Sequence, residues 1–137
     1  MFYRDPHGKV TVVDNTFFKS NGIIGTPDGR WLYVADYIAN LVYRYPIIKP
    51  GTLGERAVFA KYRCDGMTLD QRGNLYLCTG NAGHGIVVMD PAGQEIGKIE
   101  LPEAPANVCT GDERTWHALN AVQLQSSNCE AVGILEC

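Results

Sequence analysis

Short apolar runs follow one another along this chain, and each is cut off within a few residues by Gly, Pro, Asp or Asn. Trp31-Leu32-Tyr33-Val34-Ala35, Leu41-Val42-Tyr43-Arg44-Tyr45-Pro46, Leu75-Tyr76-Leu77-Cys78 and Ile86-Val87-Val88-Met89-Asp90-Pro91 are the clearest. No stretch keeps a 3.6-residue period over three turns, as an amphipathic helix would require. Short segments rich in Val, Ile and Tyr between turn residues predict strands, and the whole pattern predicts an all-β chain.

The runs recur with a period. Asn21-Gly22-Ile23-Ile24, Asp65-Gly66-Met67-Thr68 and Asn107-Val108-Cys109-Thr110 lie 44 and 42 residues apart, each entering an apolar stretch from a small polar residue. The first two lead to turns at Thr26-Pro27-Asp28-Gly29-Arg30 and Asp70-Gln71-Arg72-Gly73-Asn74. Each turn opens a second strand, 31–35 or 75–78. A further turn, holding Asn40 or Asn81-Ala82-Gly83-His84-Gly85, opens a third, 41–46 or 86–91. The start of the chain supplies the end of an earlier copy: Phe2-Tyr3-Arg4-Asp5-Pro6-His7-Gly8 matches Val87-Val88-Met89-Asp90-Pro91-Ala92-Gly93 at an offset of 85. Val10–Val13, Glu55–Ala60 and Ile96–Leu101 then read as outer strands. Four short strands per 40–45 residues is the footprint of a β-propeller blade. A β-sandwich with chance likeness between its hairpins does not account for turn chemistry repeated at corresponding places.

Counted in blades, the chain is a partial β-propeller of about two full blades plus flanking strands. The third repeat runs through Gly111–His117 to a strand expected at Leu119–Leu124, leaving room for fewer strands than a blade needs. Residues 1–125 form the expected propeller segment, and 126–137 a tail that matches nothing earlier. Such a segment exposes sheet edges at both ends, which invite self-association.

Composition narrows the function. With 137 residues, 45% apolar, 20% charged and a net charge of −3, the chain suits one globular domain. It carries no basic field for a phosphate backbone, so no nucleic-acid partner is expected. Its apolar runs fall far short of the roughly 20 residues that span a bilayer, so no membrane partner is expected. Met1-Phe2-Tyr3-Arg4-Asp5 lacks the features of a signal peptide, which points to the cytoplasm. Five cysteines (Cys64, Cys78, Cys109, Cys129, Cys137) form no C-x-x-C pair. They read as reduced thiols, mostly buried, against the alternative of a secreted chain with one or two bridges.

The candidate chemistry sits at the blade starts. The first strand of each propeller blade lines the central channel, so Asn21, Asp65 and Asn107 would converge near one of its mouths. One carboxylate and two amide oxygens suit a hard cation such as Ca²⁺, Mg²⁺ or Mn²⁺, with Zn²⁺ as a further alternative. The competing reading is turn chemistry, because Asx-Gly pairs favour tight turns in any protein. Other polar residues read more simply as structure. His84 lies between turn glycines, His7 sits in the Asp5–Gly8 turn, and His117 falls in the incomplete repeat; none has metal-ligand spacing with another His. Asp36 and Tyr37 follow a strand, at a channel rim or in a turn. Ser20 lacks a Gly-x-Ser-x-Gly context. Tyr33, Tyr43, Tyr45 and Tyr76 suit strand packing.

Ser20-Asn21-Gly22, Pro27-Asp28-Gly29, Leu32-Tyr33-Val34-Ala35-Asp36, Asp65-Gly66-Met67, Glu100-Leu101-Pro102 and Ala106-Asn107-Val108-Cys109 occur here in one order and spacing. In that combination the sequence resembles the senescence-marker-protein / gluconolactonase / luciferin-regenerating-enzyme family of six-bladed propellers, from about residue 2 to residue 115, and looks like the C-terminal half of such a protein. The resemblance implies a lactonase that opens sugar lactones with one divalent metal in the channel, Ca²⁺ first among the candidates. It implies Asn21 and Asp65 as metal ligands and Asp65 as the base that activates water, while Asn107 either joins the metal shell or lines the channel. A glutamate ligand near the family's N-terminus has no counterpart in this sequence. The alternative function is a non-catalytic propeller fragment that acts as a binding or assembly module.

Overall fold

The computed structural model describes residues 1–80, 85–110 and 116–119, which divide into two compact units, Met1–Cys64 and Asp65–Cys137. Every strand pair is antiparallel, and no α-helix occurs among the described residues. No helix there is long and apolar enough to cross a membrane.

The first unit opens with a hairpin of β1 (Phe2–Arg4) and β2 (Val10–Val12). Its main sheet runs β3 (Ser20–Gly25), β4 (Trp31–Asp36), β5 (Leu41–Lys49). The far end of β5 pairs with β6 (Thr52–Leu53) and its near end with β7 (Ala57–Ala60). Because β4 is central, its last four residues are buried on both faces, Tyr33 to Asp36. Tyr33 meets the Phe59 ring edge-on at 4.8 Å, and the Arg44 guanidinium lies 4.5 Å over Trp31. An apolar cavity of about 220 Å³ lies among Tyr3, Ile23, Leu32, Ile47 and Leu53.

In the second unit β8 (Met67–Leu69), β9 (Leu75–Cys78), β10 (Gly85–Met89) and β11 (Glu95–Glu100) form one sheet in the order β11-β10-β9-β8. β9 and β10 are buried throughout and β11 is an exposed edge. This is the order a propeller blade requires, and β3-β4-β5-β7 repeats it. β12 (Asn107–Thr110) pairs with β13 (Trp116–Leu119) and packs beside β8 and β9. Val108 thereby joins Tyr76, Cys78, Ile86 and Val88 in a buried cluster flanked by Leu101.

One turn device recurs. At Asp5, Asp70 and Asp90 the backbone N–H donates to the carbonyl four residues on (Lys9, Asn74, Gln94), while the Gly three residues on donates back to the Asp carbonyl. Each carboxylate also accepts the amide of residue i+4. Gly8, Gly73 and Gly93 all take positive φ, between 80° and 90°, which an L side chain disfavours. The Asp-x-x-Gly spacing thus encodes the hairpin.

Two expectations shift. β5 runs on past Pro46 to Lys49 and turns at Pro50-Gly51 into β6. Proline does not end the strand because the neighbouring Ile47 N–H donates to Arg30, and the Pro46 carbonyl accepts from Gly54. In the third repeat the second strand lies at Trp116–Leu119, earlier than the expected 119–124. Residues 120–125 and the 126–137 tail lie outside the described residues, as do 81–84, with His84, and 111–115.

Candidate functional site

The blade starts share a backbone feature. In β3, Ser20 lies opposite Asp36 and Ile23 opposite Val34, so Asn21 and Gly22 share the one residue Ala35. Ahead of β8, the Asp65 N–H donates to the Cys78 carbonyl at 2.9 Å, the Cys78 N–H donates to the Gly66 carbonyl at 3.0 Å, and Met67 faces Leu77. Asp65 and Gly66 therefore share Cys78. Two residues against one is a β-bulge, which bends the strand and re-aims a side chain; bulges concentrate near functional sites. Asn21 and Asp65 occupy the first position of the same bulge in successive blades. Asn21 is exposed and Asp65 half-buried.

Asn107 stands differently. It opens β12 in regular register, opposite Leu119, and its side-chain oxygen accepts the Val108 N–H at 2.9 Å. The second unit brings it against the Asp65-Gly66 bulge. The Gly66 N–H donates to the Ala106 carbonyl at 2.7 Å, and a Cβ on Gly66 would lie 2.7 Å from the Asn107 Cα and collide with its amide oxygen. Only glycine allows the two inner strands to approach so closely. Asp65 and Asn107 are thus neighbours at the start of adjacent inner strands, and Asn21 holds the equivalent bulge in the first unit.

Electrostatics mark several of the polar groups as structural. Burial, and then the charge of Asp65, push the Cys78 thiol up to about 12, so Cys78 is a packing residue and no nucleophile. Cys64 is also a buried free thiol, while Cys109 is exposed. Asp36, expected at a rim or in a turn, is 1% exposed. It accepts from the amides of Phe18 at 2.8 Å, Lys19 at 3.1 Å and Ala39 at 3.3 Å. Burial alone would raise its pKa, but these N–H groups and that of Ile38 hold it below the usual carboxylate range. Its role is to fasten the 17–19 segment and the β4–β5 turn. His7 donates its amide to Asp5 within the β1–β2 turn.

Within the second unit Asp65 and Asn107 offer a carboxylate and an amide oxygen side by side, donors that suit a hard cation in kind. Among the described residues no group of three or more His, Cys, Asp or Glu could hold a metal, so the remaining oxygens of a six- to eight-fold Ca²⁺ shell would come from water, substrate or groups beyond these. Sequence reasoning singled out Asn21, Asp65 and Asn107 as candidates but not the part of Gly66. The signal was in hand, since a Gly beside each of the first two marks a close backbone approach as well as a turn.

Residues 1–117 match the family described as SMP-30/gluconolactonase/LRE-like region. A 6-deoxy-6-sulfogluconolactonase of Pseudomonas putida is 28% identical over 116 residues, covering 80% of this chain and 40% of that protein. The crystal structure of a calcium-binding protein, regucalcin, from Agrobacterium tumefaciens superposes with a TM-score of 0.67 at 26% identity, over 74% of this chain and 37% of that one. A luciferin-regenerating enzyme superposes with a TM-score of 0.76 at 17% identity, over 95% of this chain and 47% of that one, a likeness of fold. The chain spans two-fifths or less of the curated gluconolactonase relatives it matches.

Proposed function

The chain belongs to the SMP-30/gluconolactonase/LRE-like family, and from that premise we propose that it serves a metal-dependent lactonase that hydrolyses sugar lactones of the gluconolactone type. The observation that carries this reading is the bulge that places Asp65 at the start of an inner strand, repeated at Asn21. Asn21 and Asp65 would hold one divalent cation, with Ca²⁺ the first choice for an all-oxygen donor set. When bound, the cation supplies Lewis-acid polarisation of the lactone carbonyl.

The residues of this chain do the rest. Asp65 accepts a proton from the water that attacks the carbonyl carbon, and the ring C–O bond breaks. The ring oxygen leaves with a proton, giving the open hydroxy acid. Asn21 adds an oxygen donor without adding negative charge, so it does not compete with Asp65 for the proton. Asn107, fixed by its bond to Val108, lines the approach beside Asp65. The half-buried setting of Asp65 above the buried Cys78 gives that carboxylate one fixed backbone support, as a positioned base needs.

The test is hydrolysis of gluconolactone by the purified 137-residue chain in chelator, and after addition of Ca²⁺, Mn²⁺ or Zn²⁺. Turnover that appears with metal and vanishes with chelator is the expected result; equal rates in both would refute metal dependence. A second reading is a non-catalytic binding or assembly module, in which the edge of β1 that pairs with no strand among the described residues takes a partner. It predicts a folded chain with no turnover under any metal.

A further inference from the structure

One end of the first unit gathers positive charge around a single ring. Lys19 precedes β3, Tyr37 and Asn40 lie in the β4–β5 turn, and Arg63 follows β7. The Lys19 ammonium stands 5.2 Å from the centre of the Tyr37 ring and the Arg63 guanidinium 4.7 Å from it. The two cationic heads therefore lie within about 10 Å of each other. Their mounting is local. The Tyr37 N–H donates to the Lys19 carbonyl at 2.9 Å, and the Arg63 Nε–H donates to the Asn40 side-chain oxygen at 3.2 Å. Asn40 has a φ of 56°, which asparagine tolerates better than most side chains.

An aromatic face attracts a cation through its quadrupole and leaves the charge in place, whereas an ion pair would cancel it. Among the described residues neither Lys19 nor Arg63 forms an ion pair. Asp36 is taken up by the backbone amides of Phe18, Lys19 and Ala39 and is 1% exposed, so its carboxylate neutralises neither head. In a chain of net charge −3, two such cations make a local positive field that an anion would relieve. Donors remain to meet one: the Nη groups of Arg63 and the ammonium of exposed Lys19. Lys19 also stands two residues before Asn21. That is about 7 Å of extended chain, within the span of one six-carbon sugar.

We propose that Lys19 and Arg63, held around Tyr37, receive a phosphate-type oxyanion that the substrate carries away from its lactone carbonyl. The inference rests on the lactonase reading and narrows its substrate class to sugar lactones that bear such a group. A tetrahedral oxyanion can accept from both heads at once, with the planar Arg63 fork on two oxygens and Lys19 as a point charge on another. A neutral lactone gains nothing from the pair. Lys19 and Arg63 thus set specificity through binding and take no part in opening the ring.

The test has two arms, both on the purified 137-residue chain. Calorimetric titration in chelator, with glucose 6-phosphate and with glucose, reads the anion site without any turnover. Glucose 6-phosphate is expected to bind and glucose is not. Lys19→Gln and Arg63→Gln are each expected to weaken that binding about tenfold. Lys49→Gln, which removes an exposed charge at the far end of β5, is expected to leave it unchanged. The Lys19 bonds to Asp36 and Tyr37 are made by its backbone, so its replacement keeps the fold. No binding by the native chain, or an equal loss in Lys49→Gln, would overturn the proposal. So would retention on phosphatidylserine vesicles without sugar-phosphate binding, which would assign the pair to a lipid surface. The second arm is hydrolysis at saturating Ca²⁺. In Lys19→Gln the KM for 6-phosphogluconolactone is expected to rise about tenfold, with its kcat and the KM for gluconolactone unchanged; an equal change for both lactones would overturn the proposal. Turnover of neither lactone by a chain that still binds glucose 6-phosphate would refute the lactonase reading while supporting the anion site.

Discussion

Gly66 is the residue on which the site geometry turns. Its hydrogen takes the place where a Cβ would meet the Asn107 backbone, and backbone yields less readily than a flexible side-chain end. Gly66→Ala is expected to destabilise the chain by about 1–3 kcal/mol, the usual cost of overpacking, read as a lower denaturant midpoint. An unchanged midpoint would mean that β12 does not lie against the bulge. Asp14 makes a second residue-scale case, away from the site. It accepts from the Thr16 amide and hydroxyl, from the Tyr45 hydroxyl at 2.7 Å and from Arg56 at 3.3 Å, with the Arg56 guanidinium 4.1 Å over Tyr43. Burial alone would raise its pKa, but the hydrogen bonds and the Arg56 charge lower it to about 2. Burial, with Asp14 beside it, holds the Tyr45 hydroxyl up at about 12. A lowered carboxylate pKa contributes stability above its unfolded value near 4 and loses it as pH falls toward 2, an amount of about 2 kcal/mol. Unfolding measured from pH 6 to pH 2 should therefore be less steep in pH for Asp14→Asn than for the native chain. Parallel curves would show that Asp14 is not the group responsible.

At the scale of elements, the hairpins carry their own instructions. Asp70 accepts the amides of Arg72 and Asn74, the Asn74 side-chain amide and the Tyr76 hydroxyl. Asp70→Ala leaves those donors to solvent or unpaired, and a loss of about 1–3 kcal/mol is expected in thermal or denaturant unfolding; no loss would mean the turn forms without its acceptor. Because this Asp-x-x-Gly chemistry is local, the strands flanking it were legible in the sequence: Leu75–Cys78 at its observed bounds, and most others within a residue or two. What was not legible depended on partners distant in the chain. β6 exists because β5 continues through Pro46, and only the bonds of Ile47 to Arg30 and Gly54 to Pro46 make that proline tolerable. The bulges were invisible for the same reason, since Asn-Gly and Asp-Gly read equally as turns until the residue opposite them is known. Asp36, expected at a rim or in a turn, is a buried fastener, a distinction only its amide partners reveal.

For the whole molecule, the family follows from the match over residues 1–117, and the propeller blade from β8–β11 and its repetition in β3-β4-β5-β7. The central claim at this scale is the proposal that Asp65, set on its bulge, is the base of a lactone-opening site. The most direct measurement is the rate of gluconolactone hydrolysis at saturating Ca²⁺ by the native chain and by Asp65→Asn, both shown folded by circular dichroism. A positioned general base contributes about 10²–10⁴-fold, so the variant is expected to fall by at least that factor while the native chain turns over. A variant that hydrolyses the lactone as fast as the native chain would contradict the account.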